Sequence, residues 1–276
     1  MEDLDTSDES VRDPDRRAFI ATGVGATLGV TGAMIFAEEV AEAATQSSAN
    51  LLLYHLDGTR SERVIWLMEE LGLPYVLSAK PGMAGMADIK AAHPMGMSPT
   101  VVDGKLTLVE SGAILEYIIH RYGAGRLAEA PSSPGYASYL LWLHYAEGSA
   151  APRIINDYVS RSIPDVATLS PIAGRQIGGA GRVLNFVNMR LGETPHFAGE
   201  NFTAADIIMH FPLKLTRMWG VDFSLYPNVA AWFDRVEGRP AFAAAMAKGS
   251  PNGTAPPPGR FQPLLAPTGK ETAPHG

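Results

Sequence analysis

Leu51-Leu52-Leu53-Tyr54 is a short apolar run that fits a buried strand. From Ser61 to Leu71 the apolar residues Val64, Ile65, Leu67, Met68 and Leu71 then fall at helical spacing. Gly72 and Pro74 stop that helix, and Tyr75-Val76-Leu77 reads as a second strand. The three form a β-α-β unit, whose parallel strands need the helix as a crossover. After a connection containing methionine and glycine, Thr100-Val101-Val102 and Leu106-Thr107-Leu108-Val109 flank Asp103-Gly104, a strong hairpin signal. A further helix is expected from Ser111 to about Tyr122, with Gly123 just past its end.

The resulting order β-α-β-α-β-β-α is that of a thioredoxin-like α/β domain, placed at residues 50–126. From about Pro134 the strand signals stop and helical patterns take over, through Tyr139, Leu140, Leu143 and Tyr145 and then from about Pro171 to Leu191. An all-α C-terminal domain is therefore expected over 134–248, and the proline- and glycine-rich tail, 249–276, is expected to be disordered. Gly178-Gly179-Ala180-Gly181 has no preceding strand and no following Gly-Lys-Ser/Thr. Close helix contact explains it better than a phosphate loop does.

With 276 residues, 46% of them hydrophobic, the chain has ample material for a packed core. Its net charge of -7, with no lysine or arginine cluster after the N-terminal region, offers a nucleic-acid backbone nothing to bind. There is no cysteine. That excludes disulfides, zinc-thiolate sites, iron-sulfur clusters and any mechanism using a thiol of the protein itself, so thiol chemistry here requires the thiol of a bound molecule.

Asp15-Arg16-Arg17-Ala18-Phe19-Ile20 leads into roughly 20 mostly apolar residues, Ala18 to Ala37, and Ala41-Glu42-Ala43 supplies a small-x-small cleavage pattern. Residues 1–43 resemble a twin-arginine export signal, which implies a periplasmic or exported protein. The acidic stretch before the arginines and Glu38-Glu39 after the apolar run depart from that pattern. An uncleaved membrane anchor, or a misplaced start ahead of a cytoplasmic enzyme, are the alternatives.

The segment from Tyr54-His55-Leu56-Asp57-Gly58-Thr59-Arg60-Ser61-Glu62-Arg63 to Glu69-Glu70-Leu71-Gly72-Leu73-Pro74-Tyr75 closely resembles the opening strand, loop and first helix of glutathione transferases. In hydroxyl-using members, a serine or tyrosine near the end of the first strand points at the glutathione sulfur. Thr59 falls on the serine position by this resemblance, and His55 near the tyrosine position. Ser61 is the runner-up, with an N-cap as its competing role. The chemistry needs such a group because a free thiol, with pKa near 8.5, is mostly protonated at neutral pH and only the thiolate attacks.

His93-Pro94-Met95-Gly96-Met97-Ser98-Pro99-Thr100-Val101 resembles the family's loop into the third strand. There a cis proline at Pro99 lets Ser98 offer its backbone to the cysteinyl part of glutathione. Met97 stands where a lysine is common in the related subgroup and can reach the glycyl carboxylate. Glu110-Ser111 matches a pair in which Ser111, at a helix N-terminus, binds the γ-glutamyl carboxylate and Glu110 pairs with the ammonium.

In the second half, Asn201-Phe202-Thr203-Ala204-Ala205-Asp206-Ile207 resembles the family's buried capping box, a folding device. Tyr226 to Phe242 resembles the last helices of bacterial members, and Trp142 to Ser149, with His144-Tyr145-Ala146-Glu147-Gly148-Ser149, a bacterial and fungal subgroup. Tyr145, Arg153 and Tyr158 are candidates for a second-substrate pocket, with core packing as the competing role. The scattered methionines Met83, Met86, Met95 and Met97 fit flexible packing better than copper binding, and His144 and Glu147 lack partners for a metal site. The resemblance implies a glutathione transferase fold, glutathione as substrate with a hydrophobic electrophile, no metal, and a homodimer. Conjugation or hydroperoxide reduction is the expected chemistry, and a non-catalytic ligand-binding protein of the same fold is the alternative.

Overall fold

The computed structural model describes residues 51–163, 165 and 170–250. The export-signal reading and all of the tail after Ser250 lie outside the described residues.

Strand β1 (Leu51–Tyr54) buries Leu51 and Leu53 on one face, and helix α1 (Glu62–Leu71) begins eight positions later. Gly72, in the left-handed conformation, closes that helix by donating its N–H to the carbonyls of Glu69 and Met68. Strand β2 (Val76–Ser78) lies parallel to β1, one residue later than the pattern of Tyr75-Val76-Leu77 indicates. The connection from β2 contains a helix, α2 (Gly82–Ala92), which buries only Gly85 and Ile89 and so leaves almost no periodic signal. Strands β3 (Thr100–Asp103) and β4 (Leu106–Leu108) form the hairpin, with Gly104 at φ +57°, and α3 (Ser111–Arg121) follows. The sheet order is β2-β1-β3-β4, with β1 antiparallel to β3 and β3 to β4.

The C-terminal domain is helical, with α4 (Tyr136–Tyr145) running through a π-helical turn, Ala146–Ala150, into α5 (Ala151–Arg161). The helix expected from Pro171 to Leu191 is in fact broken. A short helix spans Pro171–Gly174, and α6 (Gly179–Glu193) starts afresh after Gly178, whose φ is +85°. The break is fixed by Asp157, which accepts from the N–H groups of Gly178 at 3.0 Å and Ala180 at 2.9 Å, capping α6 from a neighbouring helix. A Cβ at Gly179 would meet the Arg153 carbonyl oxygen at 2.7 Å, so this glycine does permit close helix contact.

Helix α7 (Ala204–Met218) opens with the expected capping box of Thr203 and Asp206. Asp206 is fully buried, and it also accepts from the Trp232 indole at 2.9 Å and the Phe197 N–H at 3.2 Å. Helices α8 (Pro227–Glu237) and α9 (Pro240–Gly249) complete the domain. The core is continuous between the two halves. Trp66 of α1 packs on Phe202, on His210 of α7 and on Phe242 of α9, with ring centroids 4.9–5.5 Å apart. Burying each such aromatic stabilises the fold by about 1.5–3 kcal/mol, so the domains hold together through shared apolar surface. Gly249 ends α9 and Ser250 is buried, so order extends two residues past the boundary expected at 248.

Candidate functional site

The loop from β1 to α1 and the loop into β3 meet at one point. Thr59 Oγ1 lies 2.8 Å from Ser61 Oγ and 2.9 Å from Ser98 Oγ, and Ser98 Oγ lies 3.0 Å from Ser61 Oγ. Three hydroxyls from two loops thus form a triangle beneath the end of β1. Thr59 Oγ1 donates to the Leu56 carbonyl at 2.7 Å, which fixes the turn that carries it. Ser61 is fully buried and makes no side-chain cap to α1; its hydroxyl meets this triangle, His55 Nδ1 at 2.8 Å and the Leu56 carbonyl at 3.3 Å. The N-cap role open to it in the sequence is not the one it takes.

Ser98 precedes a cis peptide bond to Pro99, as the loop motif indicates. Ser98, Pro99, Met97, Arg60, Glu110, Ser111 and Glu147 line an open cavity of about 520 Å³. Glu110, at the N-terminus of α3, holds φ at +69°, an uncommon conformation for a residue with a side chain. Its carbonyl accepts from the Ile114 N–H at 2.9 Å, and its carboxylate stays exposed. The first turn of α3, which starts at the cavity-lining Ser111, leaves N–H groups without helical partners. Both pairs read from the sequence, Ser98-Pro99 and Glu110-Ser111, therefore border one cavity.

Arg63 and Glu147 were not among the residues singled out for the site, yet they organise it. Arg63 is 2% exposed, and its Nη1 donates to Glu147 Oε1 at 2.6 Å and to Ser111 Oγ at 2.8 Å. Its Nη2 donates to the Ile208 carbonyl at 2.6 Å. Arg60 Nε donates to Glu147 Oε2 at 2.9 Å, so one carboxylate from the π-helical turn holds two arginines of the other domain. Burial pushes the Glu147 carboxyl upward, but the two guanidinium groups outweigh it and hold it below the usual carboxylate range. Burial lowers Arg63 to about 10, still protonated at neutral pH. The sequence signal was present in His144 to Ser149 and in an arginine within the apolar stripe of α1. Nothing local pairs them.

The three residues proposed for a second-substrate pocket do not line this cavity. Tyr145 packs edge-on to Trp142 and Phe186, Tyr158 stacks on Trp219 with centroids 4.2 Å apart, and Arg153 is exposed. Both tyrosines take part in aromatic packing. Among the described residues no three His, Asp or Glu side chains cluster as metal ligands would, and no helix is long and apolar enough to cross a membrane.

Residues 53–129 match the family described as the glutathione S-transferase N-terminal domain, and residues 160–240 match its C-terminal domain. A glutathione S-transferase of Schizosaccharomyces pombe is 31% identical over 214 residues, 72% of this chain and 87% of that one. A disulfide-bond oxidoreductase of Escherichia coli is 27% identical, covering 71% of this chain and 94% of its own. Among solved structures, a glutathione S-transferase from Actinobacillus pleuropneumoniae aligns at a TM-score of 0.64 and 29% identity, over 72% of this chain and 92% of that one. A Sulfitobacter homologue with bound glutathione aligns at 0.61 and 24% identity, over 73% and 99%, a likeness of fold. By sequence over most of its length and by both domain matches, this chain belongs to the glutathione S-transferase family.

Proposed function

We propose that the chain is a glutathione transferase in which Thr59 holds the bound thiol as a thiolate for addition to an electrophilic carbon. Reduction of organic hydroperoxides is a second use of the same thiolate. The observation that carries this reading is the hydroxyl triangle of Thr59, Ser61 and Ser98, set against a cavity lined by Ser98, Pro99, Glu110 and Ser111. Glutathione is long and carries charge at both ends. The first turn of α3 and Ser111 would take its γ-glutamyl carboxylate, Glu110 its ammonium, and the Ser98 backbone its cysteinyl unit. In this reading the sulfur would lie at the triangle.

One hydroxyl donating to a thiolate stabilises it by about 1.5–3 kcal/mol, which lowers the thiol pKa by about one to two units. Thr59→Ala is therefore expected to bind glutathione with near-normal affinity and to lose about ten- to a hundredfold in conjugation rate at neutral pH. Unchanged turnover with a generic electrophile would remove Thr59 from the chemistry and move the role to Ser61, His55 or Tyr54.

A binding protein that has lost turnover is the second reading. Met97, rather than a cation, lines the cavity where the related subgroup places a lysine, which favours weak affinity. Glutathione binding without conjugation by the wild-type chain would select it. The family's usual two-fold dimer and export by the twin-arginine route complete the proposal. Sedimentation and cell fractionation test them.

A further inference from the structure

His55, 3% exposed at the end of β1, has no part in the glutathione contacts proposed above. Its Nε2 lies 2.6 Å from the carbonyl oxygen of Gly249 at the end of α9. A carbonyl can only accept, so Nε2 carries the ring proton, and in the neutral ring Nδ1 is then an acceptor. Nδ1 faces Ser61 Oγ at 2.8 Å, and Ser61 Oγ faces Thr59 Oγ1 at 2.8 Å. Three groups thus stand in line at hydrogen-bond distance. The outer one borders the place of the sulfur, and the inner one is the only member able to keep an added proton.

The anchor at Gly249 depends on close packing. A Cβ there would lie 2.7 Å from Ile65 Cδ1 and 3.4 Å from His55 Cε1, so the carbonyl approaches the ring only because the residue has no side chain. The charged groups around the ring are Asp57 in the loop after β1 and Glu62 at the start of α1. Ser250 Oγ stands 2.6 Å from Asp57 and 3.1 Å from Glu62, and Glu62 is paired at 2.5 Å with Lys214 of α7. Burial lowers the proton affinity of the ring, while the Gly249 carbonyl and the two carboxylates work the other way. The resting ring is neutral and able to accept.

We propose that His55 receives the proton given up by the glutathione thiol, passed inward through Thr59 and Ser61. The proposal rests on glutathione occupying the cavity as described above. The S–H bond breaks with its electron pair left on sulfur, and that proton joins Thr59 Oγ1. Thr59 turns its own proton from the Leu56 carbonyl, to which it donates at 2.7 Å, and passes it to Ser61 Oγ, and Ser61 passes its own to His55 Nδ1. Three bonds break and three form, leaving a thiolate and an imidazolium. Thr59 ends with its O–H aimed at the thiolate, the orientation that stabilises the anion. His55 touches no substrate atom and acts through Ser61 as a positioning and proton-holding residue.

Calorimetric titration of glutathione into the full chain, repeated in buffers of different ionisation enthalpy, counts the protons released per glutathione. Ultraviolet difference absorbance in the same samples counts thiolate. The expected result is that fewer protons are released than thiolates are formed, with the shortfall growing as pH is lowered below neutral. His55→Asn keeps an amide oxygen able to accept from Ser61 but cannot hold a proton. It should release one proton for each thiolate at every pH and show no shortfall. His55→Gln keeps a donor for the Gly249 carbonyl and should behave like His55→Asn in proton count, although it restores the anchor.

One proton released per thiolate in the wild type overturns the relay while leaving the glutathione site intact, as does proton retention that persists in His55→Asn. No binding heat and no thiolate at millimolar glutathione overturns the relay together with the reading it rests on. Because the wild-type count decides on its own, a variant that fails to fold does not remove the test.

Discussion

Arg63 and Glu147, 84 positions apart in the chain, meet at 2.6 Å across the junction of the two domains, the arginine buried and the carboxylate about one-third exposed. The pair connects α1 to the π-helical turn between α4 and α5, and through Arg63 it reaches Ser111, which also lines the cavity. Removing one member strands a buried guanidinium. Glu147→Ala is expected to destabilise the chain by about 2–3 kcal/mol, less than for a fully buried pair because water reaches the carboxylate. Denaturant unfolding checks this, and a loss below about 0.5 kcal/mol would make the pair a surface contact in energetic terms.

The same pair sets an acid response. The folded protein holds Glu147 below its ordinary carboxylate value, so its contribution to stability is full above the unfolded value near 4.5. It is lost as pH falls from there through the lower folded value. Unfolding curves recorded across this window should steepen with falling pH in the wild type and be flatter in Glu147→Gln. Equal slopes would place the acid sensitivity elsewhere, for example at Glu237, which burial pushes up but His210 and Arg217 hold down at about 2.

Asp206 serves the fold and not the chemistry. It accepts from the backbone of Thr203 at 3.0 Å and of Phe197, and from the Trp232 indole. Asp206→Ala leaves those buried donors without an acceptor and is expected to cost about 3 kcal/mol or more, lowering folded yield. Whatever fraction folds should bind glutathione with unchanged affinity, measured by titration after removal of aggregate. Weakened binding would show that the capping box shapes the cavity.

Met97 is 36% exposed on the cavity wall. Met97→Lys would add a cation for the glycyl carboxylate, and at such exposure the pair is worth about 0.4–1 kcal/mol, or two- to fivefold in glutathione affinity. Unchanged or weaker affinity would place the glycyl end away from this residue.

Much of this was legible in the sequence because it is encoded locally. The hairpin at Asp103-Gly104, the Ser98-Pro99 loop, the Glu110-Ser111 helix start and the Thr203–Asp206 box each depend on residues a few positions apart. Helix α2 is present in the expected order, but its bounds left no periodic signal because it turns only Gly85 and Ile89 inward. Gly85 is itself a packing requirement, since a Cβ there would strike the Lys80 carbonyl oxygen at 2.1 Å. The break before α6 was hidden because its cap comes from Asp157, about 20 residues earlier. The Arg63–Glu147 clamp and the Gly249 contact with His55 join residues 84 and 194 positions apart. No periodicity or local motif reports such pairings. Resemblance pointed to the loop after β1, and only the packed structure showed which hydroxyls gather in it.

The most direct test of the central claim is a titration of glutathione into the full chain at neutral pH, with thiolate absorbance followed in the wild type and in Thr59→Ala. The account predicts saturable binding in both, with thiolate forming in the wild type and falling about tenfold or more in the variant. Saturable binding with equal thiolate in the two would contradict the assignment of Thr59, and absence of binding in the wild type would contradict the glutathione site itself.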